Sequence, residues 1–187
     1  MNKIKIANNV FIPMPMGIIG AMNDGKPTFM AAGWITRANA NPPMIAVGIN
    51  RSHLTHDCIV KTGAFSVNFP GPGLMVKTDY AGLVSGRNRD KSGLFELFRG
   101  GNGTVPLVSE AFLCLECGLH KAVELPTNTL FIGEITGAWC NDDCLAENRS
   151  PDYDKAGACI LTMPDNSYWS LGEYLGKAWS IGKEYKG

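Results

Sequence analysis

The chain has 187 residues, 45% of them hydrophobic and 18% charged, and its 17 Lys and Arg balance 17 Asp and Glu. A chain of this length forms one domain, burying roughly 70% of its unfolded surface without disulfide or metal staples. Zero formal charge sets up no net field toward nucleic acid or an anionic membrane, and it leaves self-association unopposed.

Lys3 and Lys5 precede the apolar run Val10–Met22 and superficially imitate a signal peptide, but Pro13 and Pro15 break any helix there. The run reads as an extended lead-in to a first strand, Met16–Asn23. No stretch reaches the ~18 apolar residues of a membrane helix. Asp24-Gly25 marks a hairpin turn. Thr28–Ala38 reads as the second strand, with Ala31, Ala32 and Gly33 leaving room for something to approach the backbone. After an Asn/Pro turn, Met44–Ile49 is a third strand. Ser52 reads as the N-cap of a helix His53–Lys61 that Gly63 stops. Ala64–Phe69 alternates as a strand, Leu74–Val84 has helical spacing, and Gly86–Gly93 is a basic loop. Phe112–Glu124 and Thr129–Cys140 suggest a long antiparallel pair. Asn141–Lys155 reads as a polar excursion and Ala158–Met163 as a last core strand. The aromatic tail, from about residue 168 to 187, is expected to dock on something. With 22 glycines and 11 prolines, many short strands and few helices, the chain is mostly β, a closed and largely antiparallel barrel.

Several clusters carry candidate chemistry. Arg51, Ser52 and Thr55 offer a guanidinium fork and two hydroxyls at a helix N-terminus, where backbone N–H groups and the helix dipole favour a phosphate. The same residues also read as an ordinary Ser cap. Lys91, in the basic loop, could add a point charge; the loop reads equally as a solvated surface. Six cysteines, at 58, 114, 117, 140, 144 and 159, fit free thiols of a cytoplasmic protein. Cys114-x-x-Cys117 and Cys140-x₃-Cys144, with His120 nearby, admit a zinc-binding module as a further alternative. His53 and His56 with Asp57 read as a helix surface, since no third or fourth metal ligand accompanies them. No Walker loop, nucleophile elbow or strand–GxGxxG–helix is present.

Read together, Thr28-Phe29-Met30-Ala31-Ala32-Gly33-Trp34, Pro42–Ile49, Arg51–Thr55 and Thr62–Asn68 resemble the flavin-reductase-like, FMN-binding split-barrel family. Ser85-Gly86-Arg87, Asp90-Lys91 and the tail Leu175–Lys183 resemble its flavoredoxin branch. The resemblance covers nearly the whole chain. It implies a six-stranded Greek-key split barrel, a homodimer, and FMN at the subunit interface. Carried over by position, Thr28 and Trp34 would lie by the flavin. Gly48, Ile49 and Asn50 would offer backbone contacts. Ser52, His53 and Thr55 would hold the phosphate with Lys91, and Asn68 would border the ring. The polar residue the family often carries near positions 31–33 is absent here. The implied activity is NAD(P)H-dependent flavin reduction, or, alternatively, flavoredoxin-type electron transfer from ferredoxin or a similar donor. Hydride transfer needs no acid–base side chain, so no catalytic residue is singled out.

Overall fold

The computed structural model describes residues 1–185. Local chemistry sets the first hairpin. Asp24 and Gly25 both have positive φ, 48° and 82°, the type I′ turn that matches strand twist. It joins β2 (Gly17–Asn23) to β3 (Lys26–Ala32), in register from Asn23↔Lys26 to Gly17↔Ala32. The expected single strand Thr28–Ala38 is instead two: β3 ends at Ala32, and β4 runs Ile35–Asn39. The chain bends at Gly33-Trp34, where a Cβ on Gly33 would lie 3.3 Å from both Met14 and Leu161.

Four more strands complete the main sheet with β4: β5 (Met44–Asn50), β6 (Ala64–Phe69) and the long pair β9 (Leu113–Glu124) and β10 (Asn128–Cys140). The short β1 (Met14–Pro15), β7 (Leu97–Phe98), β8 (Leu107–Val108), β11 (Cys159–Thr162) and β12 (Ser167–Ser170) lie outside it, and the helices are α1 (Leu54–Thr62) and α2 (Met75–Leu83). The seven strands are ordered β3-β2-β6-β9-β10-β5-β4 and every pair is antiparallel. The two edge strands, β3 and β4, are consecutive and joined by two residues. The sheet therefore curls until its edges meet, giving a split barrel with its seam at Gly33-Trp34. Counting β3–β4 as one bent strand recovers the six expected.

Two apolar cores flank this sheet. The barrel interior holds Ile19, Val47, Ile49, Phe65, Val67 and Phe131, with Cys58 and Ile59 of α1 inserted among them. On the outer face, Ile18, Phe29 and Cys114 pack under α2 and the segment that includes Phe95, Leu107 and Val108. Cys114 and Cys117 thus fall into different cores, on opposite faces of β9. All six thiols are free, and no group of three or more His, Cys, Asp or Glu among the described residues could hold a metal.

The C-terminal part differs from expectation. β11 is not a barrel strand; it pairs with β1 and β12 in a separate three-stranded sheet. Beyond Ser170 the tail's Leu171, Tyr174, Leu175 and Trp179 are exposed, Trp179 at 95%. Residues 186 and 187 of that tail lie outside the described residues. No described helix is long and apolar enough to cross a membrane.

Gly133 tests the barrel interior. A Cβ there would approach Phe65 Cζ to 2.6 Å, and that ring is fully buried. Gly133→Ala is expected to cost about 1–3 kcal/mol, the range for overpacking a filled core. A urea titration should show a lower midpoint at unchanged slope; an unchanged midpoint would contradict this packing.

Candidate functional site

The site is built where β5 turns into α1. Asn50, the last residue of β5, accepts hydrogen bonds at Oδ1 from Ser52 N (3.0 Å) and Ser52 Oγ (2.9 Å). This Asx turn lifts the chain off the sheet and starts the helix. The N-cap is His53 rather than Ser52: His53 is extended (φ −77°, ψ 139°) and α1 begins at Leu54. Gly63 ends it in the left-handed region at φ 67°, with its N–H on Ile59 O, as expected. Helix geometry leaves the N–H groups of Leu54 and Thr55 without intrahelical acceptors, at the positive end of the dipole.

Across from this helix start lies Lys91. Its Nζ donates to Phe29 O (3.0 Å) and Ala81 O (2.7 Å), which tie it to β3 and α2. The residue is 5% exposed. No carboxylate of a described residue forms a salt bridge with it; the adjacent Asp90 pairs with Lys26 instead. Burial pushes its pKa below the usual lysine value. Two of the ammonium's three donors are used.

Lys91, Ser52, His53, Thr55 and Ser85 share a cavity of about 260 Å³. Thr55 is 3% exposed, and its hydroxyl makes no hydrogen bond to another described residue. A buried cation without a counterion, a free hydroxyl and a helix N-terminus facing one space form a donor set for an anion. The flavin phosphate expected from the sequence fits that set.

The field around His53 has the same sign. Its pKa is lowered, first by burial and then by the charges of Lys91, Arg87 and His56. Arg87, in the basic loop, donates from Nε to Ser52 O (3.1 Å) and from Nη2 to Asp57 Oδ2 (2.6 Å). The bond from Arg87 is the main cause of the lowered Asp57 pKa, followed by that from His56. His56 continues the chain to Thr129 Oγ1 at 2.9 Å. The loop is thereby strapped over the helix start.

The remaining sequence candidates are placed as follows. Thr28 is buried on β3, near Gly86. Trp34 stands at the seam, 48% exposed, its carbonyl accepting from Gly48 N at 2.9 Å. A Cβ on Gly48 would lie 3.1 Å from the indole, so glycine lets the ring sit close over β5. Ile49 is a barrel-core residue, 0% exposed. Arg51 points away from the cavity, its guanidinium donating to Leu125 O. Asn68 is also fully buried. Its amide donates to Ile18 O and Ser66 Oγ and accepts from Val108 N, which ties β6 to β2 and β8. The structure therefore brings together Ser52, His53, Thr55 and Lys91, with Thr28 alongside. Trp34, Gly48 and Asn50 stand on β5 and at the seam beside it, Ile49 belongs to the barrel core, and none of these, nor Arg51 or Asn68, lines the cavity. Arg87 joins the helix start without having been named as a site residue; its sequence signals are its place in the dense cationic loop and in the Ser85-Gly86-Arg87 stretch that resembles the flavoredoxin branch. A larger cavity of about 690 Å³ is lined by Ile35, Phe69, Phe112 and Ile135 among others. It is apolar and shares no residue with the anion site.

Residues 10–161 match the family model described as a flavin reductase like domain. The chain belongs to that family. Over 98% of both chains it is 52% identical to a flavoredoxin from Methanosarcina acetivorans, with a TM-score of 0.94. It is 32% identical to a flavoredoxin of Desulfovibrio vulgaris over 97% of this chain and 100% of that one, with a TM-score of 0.89. It is 30% identical, over 65% of this chain and 72% of the relative, to a ferric-chelate reductase (NAD(P)H) from Archaeoglobus fulgidus. The chain spans 63% and 54% of two other archaeal relatives, from Archaeoglobus fulgidus and Aeropyrum pernix. Flavin binding is the common property of this family.

Arg87→Ala tests the electrostatics of the strap. Removing the guanidinium removes a cause that lowers both His53 and Asp57, so both pKa values should rise. NMR titration of the His53 ring and the Asp57 carboxyl reads this directly. Unmoved values would place Arg87 away from the site.

Proposed function

We propose that this chain binds FMN, with the phosphate in the cavity of Lys91, Thr55 and His53, and works as an oxidoreductase. The observation that carries this reading is the buried Lys91 ammonium with no carboxylate partner. A buried charge is stable only when paired or fully hydrogen-bonded, and a phosphate would supply both. When bound, FMN supplies hydride and single-electron chemistry at its ring.

The chain's own residues do the rest. Lys91 holds a fixed positive charge, its position set by two backbone carbonyls. The Leu54 and Thr55 N–H groups and the Thr55 hydroxyl donate toward the same space. His53 takes up a proton as an anion offsets the cations around it. Trp34 offers an exposed indole face at the seam, packed over β5 where Gly48 has no side chain to displace it. A second copy of the chain, covering Trp34 and the exposed tail, belongs to this reading, as does a cytoplasmic location.

Likeness to two flavoredoxins over nearly the full length supports electron transfer through a resident flavin, with a redox protein such as ferredoxin as donor. Likeness to a ferric-chelate reductase (NAD(P)H) supports a second reading, reduction by a nicotinamide nucleotide. An anaerobic NADH and NADPH titration of the flavin-loaded protein separates them. Bleaching of the flavin absorbance on the timescale of turnover supports the second reading, and an unchanged spectrum that bleaches with reduced ferredoxin supports the first.

Thr55→Val should raise the FMN dissociation constant roughly 10- to 150-fold, since one hydrogen bond to a charged group contributes about 1.5–3 kcal/mol. Lys91→Gln should raise it further. Fluorescence titration measures both, with a thermal melt to show that each variant is folded. FMN affinity unchanged in both folded variants would remove the phosphate from this cavity.

A further inference from the structure

The apolar cavity of about 690 Å³ plays no part in the anion site. Its volume lies within the ~300–1,000 Å³ typical of ligand sites. Its floor is one end of the barrel interior. Five adjacent strands, in the order β6-β9-β10-β5-β4, each give it a side chain: Phe69, Leu115, Ile135, Ile45 and Ile35. Neighbouring strands stand ~4.8 Å apart, so four steps make a floor up to about 19 Å long. The groove is therefore elongated across the sheet.

One charged residue lines it, Arg37. Arg37 follows Ile35 by two residues on β4, so the two side chains share a face of the strand. Ile35 packs in the barrel core, and so does Ile45, the register partner of Arg37 on β5. A guanidinium thus stands at the β4 end of a mostly apolar floor. Its Nε donates to Asn39 O at 2.7 Å. No carboxylate of a described residue forms a salt bridge with it. Its two Nη groups remain as donors that match a carboxylate. The far end of the groove is aromatic. Phe69 and Phe112 have ring centroids 6.5 Å apart, and Tyr153 stands edge-on to Phe112.

We propose that this groove binds a long-chain fatty carboxylate, its head on Arg37 and its acyl chain lying across the five strands toward Phe112. Two observations carry this choice, the length of the floor and the single unpaired cation at one end. A compact ligand would leave most of the apolar floor in water, and a neutral hydrocarbon would make no use of the guanidinium. The site is separate from the phosphate cavity and stands whether or not the chain binds a flavin. A charge turned inward on an edge strand also guards the sheet against pairing with another chain, and the experiment distinguishes that role from recognition.

The experiment uses the full chain, as wild type and as Arg37→Gln, with a thermal melt to show that the variant is folded. Laurate and dodecanol, which share one alkyl chain and differ in the head group, are titrated by calorimetry below their aggregation limits. Laurate is expected to bind wild type, and to bind Arg37→Gln at least about tenfold more weakly, the scale of one charge-assisted hydrogen bond. Dodecanol is expected to bind wild type no more tightly than laurate binds the variant. Equal affinity of laurate for both proteins overturns the proposal and leaves Arg37 as a guard of the sheet edge. Equal affinity of the acid and the alcohol for wild type overturns it as well. So does an absence of laurate binding; sedimentation of wild type and Ile135→Glu then tests the other occupant, since a dimer that this substitution dissociates assigns the groove to a second copy of the chain.

Discussion

A buried ammonium without a counterion is the constraint on which this site depends. Lys91 is held by carbonyls of β3 and α2, so its place is fixed by the barrel wall and the outer layer together. The cost of desolvating it shows in its lowered pKa. That cost is offset only in part by two neutral acceptors, and an anion on the third donor would complete the shell. The helix start opposite contributes its dipole and N–H groups at no further cost in order, because the Asn50 turn and α1 are already required to carry the chain from β5 to β6. The cradle is thus built from backbone that the fold positions in any case.

The split barrel serves this arrangement through its seam. Closing a seven-strand sheet on two consecutive edge strands leaves a break at Gly33-Trp34, beside the β5 end that feeds α1. An exposed indole therefore sits over Gly48 of β5, the strand whose end feeds α1. The hydrogen-bonded path Thr129–His56–Asp57–Arg87–Ser52 then straps the cationic loop onto the same helix start.

Much of this was legible in the sequence where the signal is local. The Asp24-Gly25 turn, the Gly63 cap, the alternation of Ala64–Phe69 and the long β9–β10 pair all rest on residues within a few positions of one another. The break at Gly33-Trp34 was not legible as a bend, because Ala-Ala-Gly continues an apolar run and the bend answers to Met14 and Leu161, far away in sequence. The arginines show the same limit. Arg51 and Arg87 are equally plausible phosphate residues by type, yet Leu125 O captures one and Ser52 O with Asp57 takes the other. Asn68 reads as a candidate polar contact by position, whereas its amide is spent joining β6 to β2 and β8. Lys91 sits in a stretch, GRNRDKSG, whose composition is that of a solvated loop. Its burial comes from acceptors 62 and 10 residues away, which no window around it reveals.

The central claim is that the chain recognises its flavin chiefly through the phosphate. Comparing FMN with riboflavin, which lacks only that group, tests it most directly. Calorimetric titration of the wild-type protein should show FMN binding at least about 100-fold more tightly, as expected from two charge-assisted hydrogen bonds of about 1.5 kcal/mol or more each. Equal affinities for the two flavins would contradict the account.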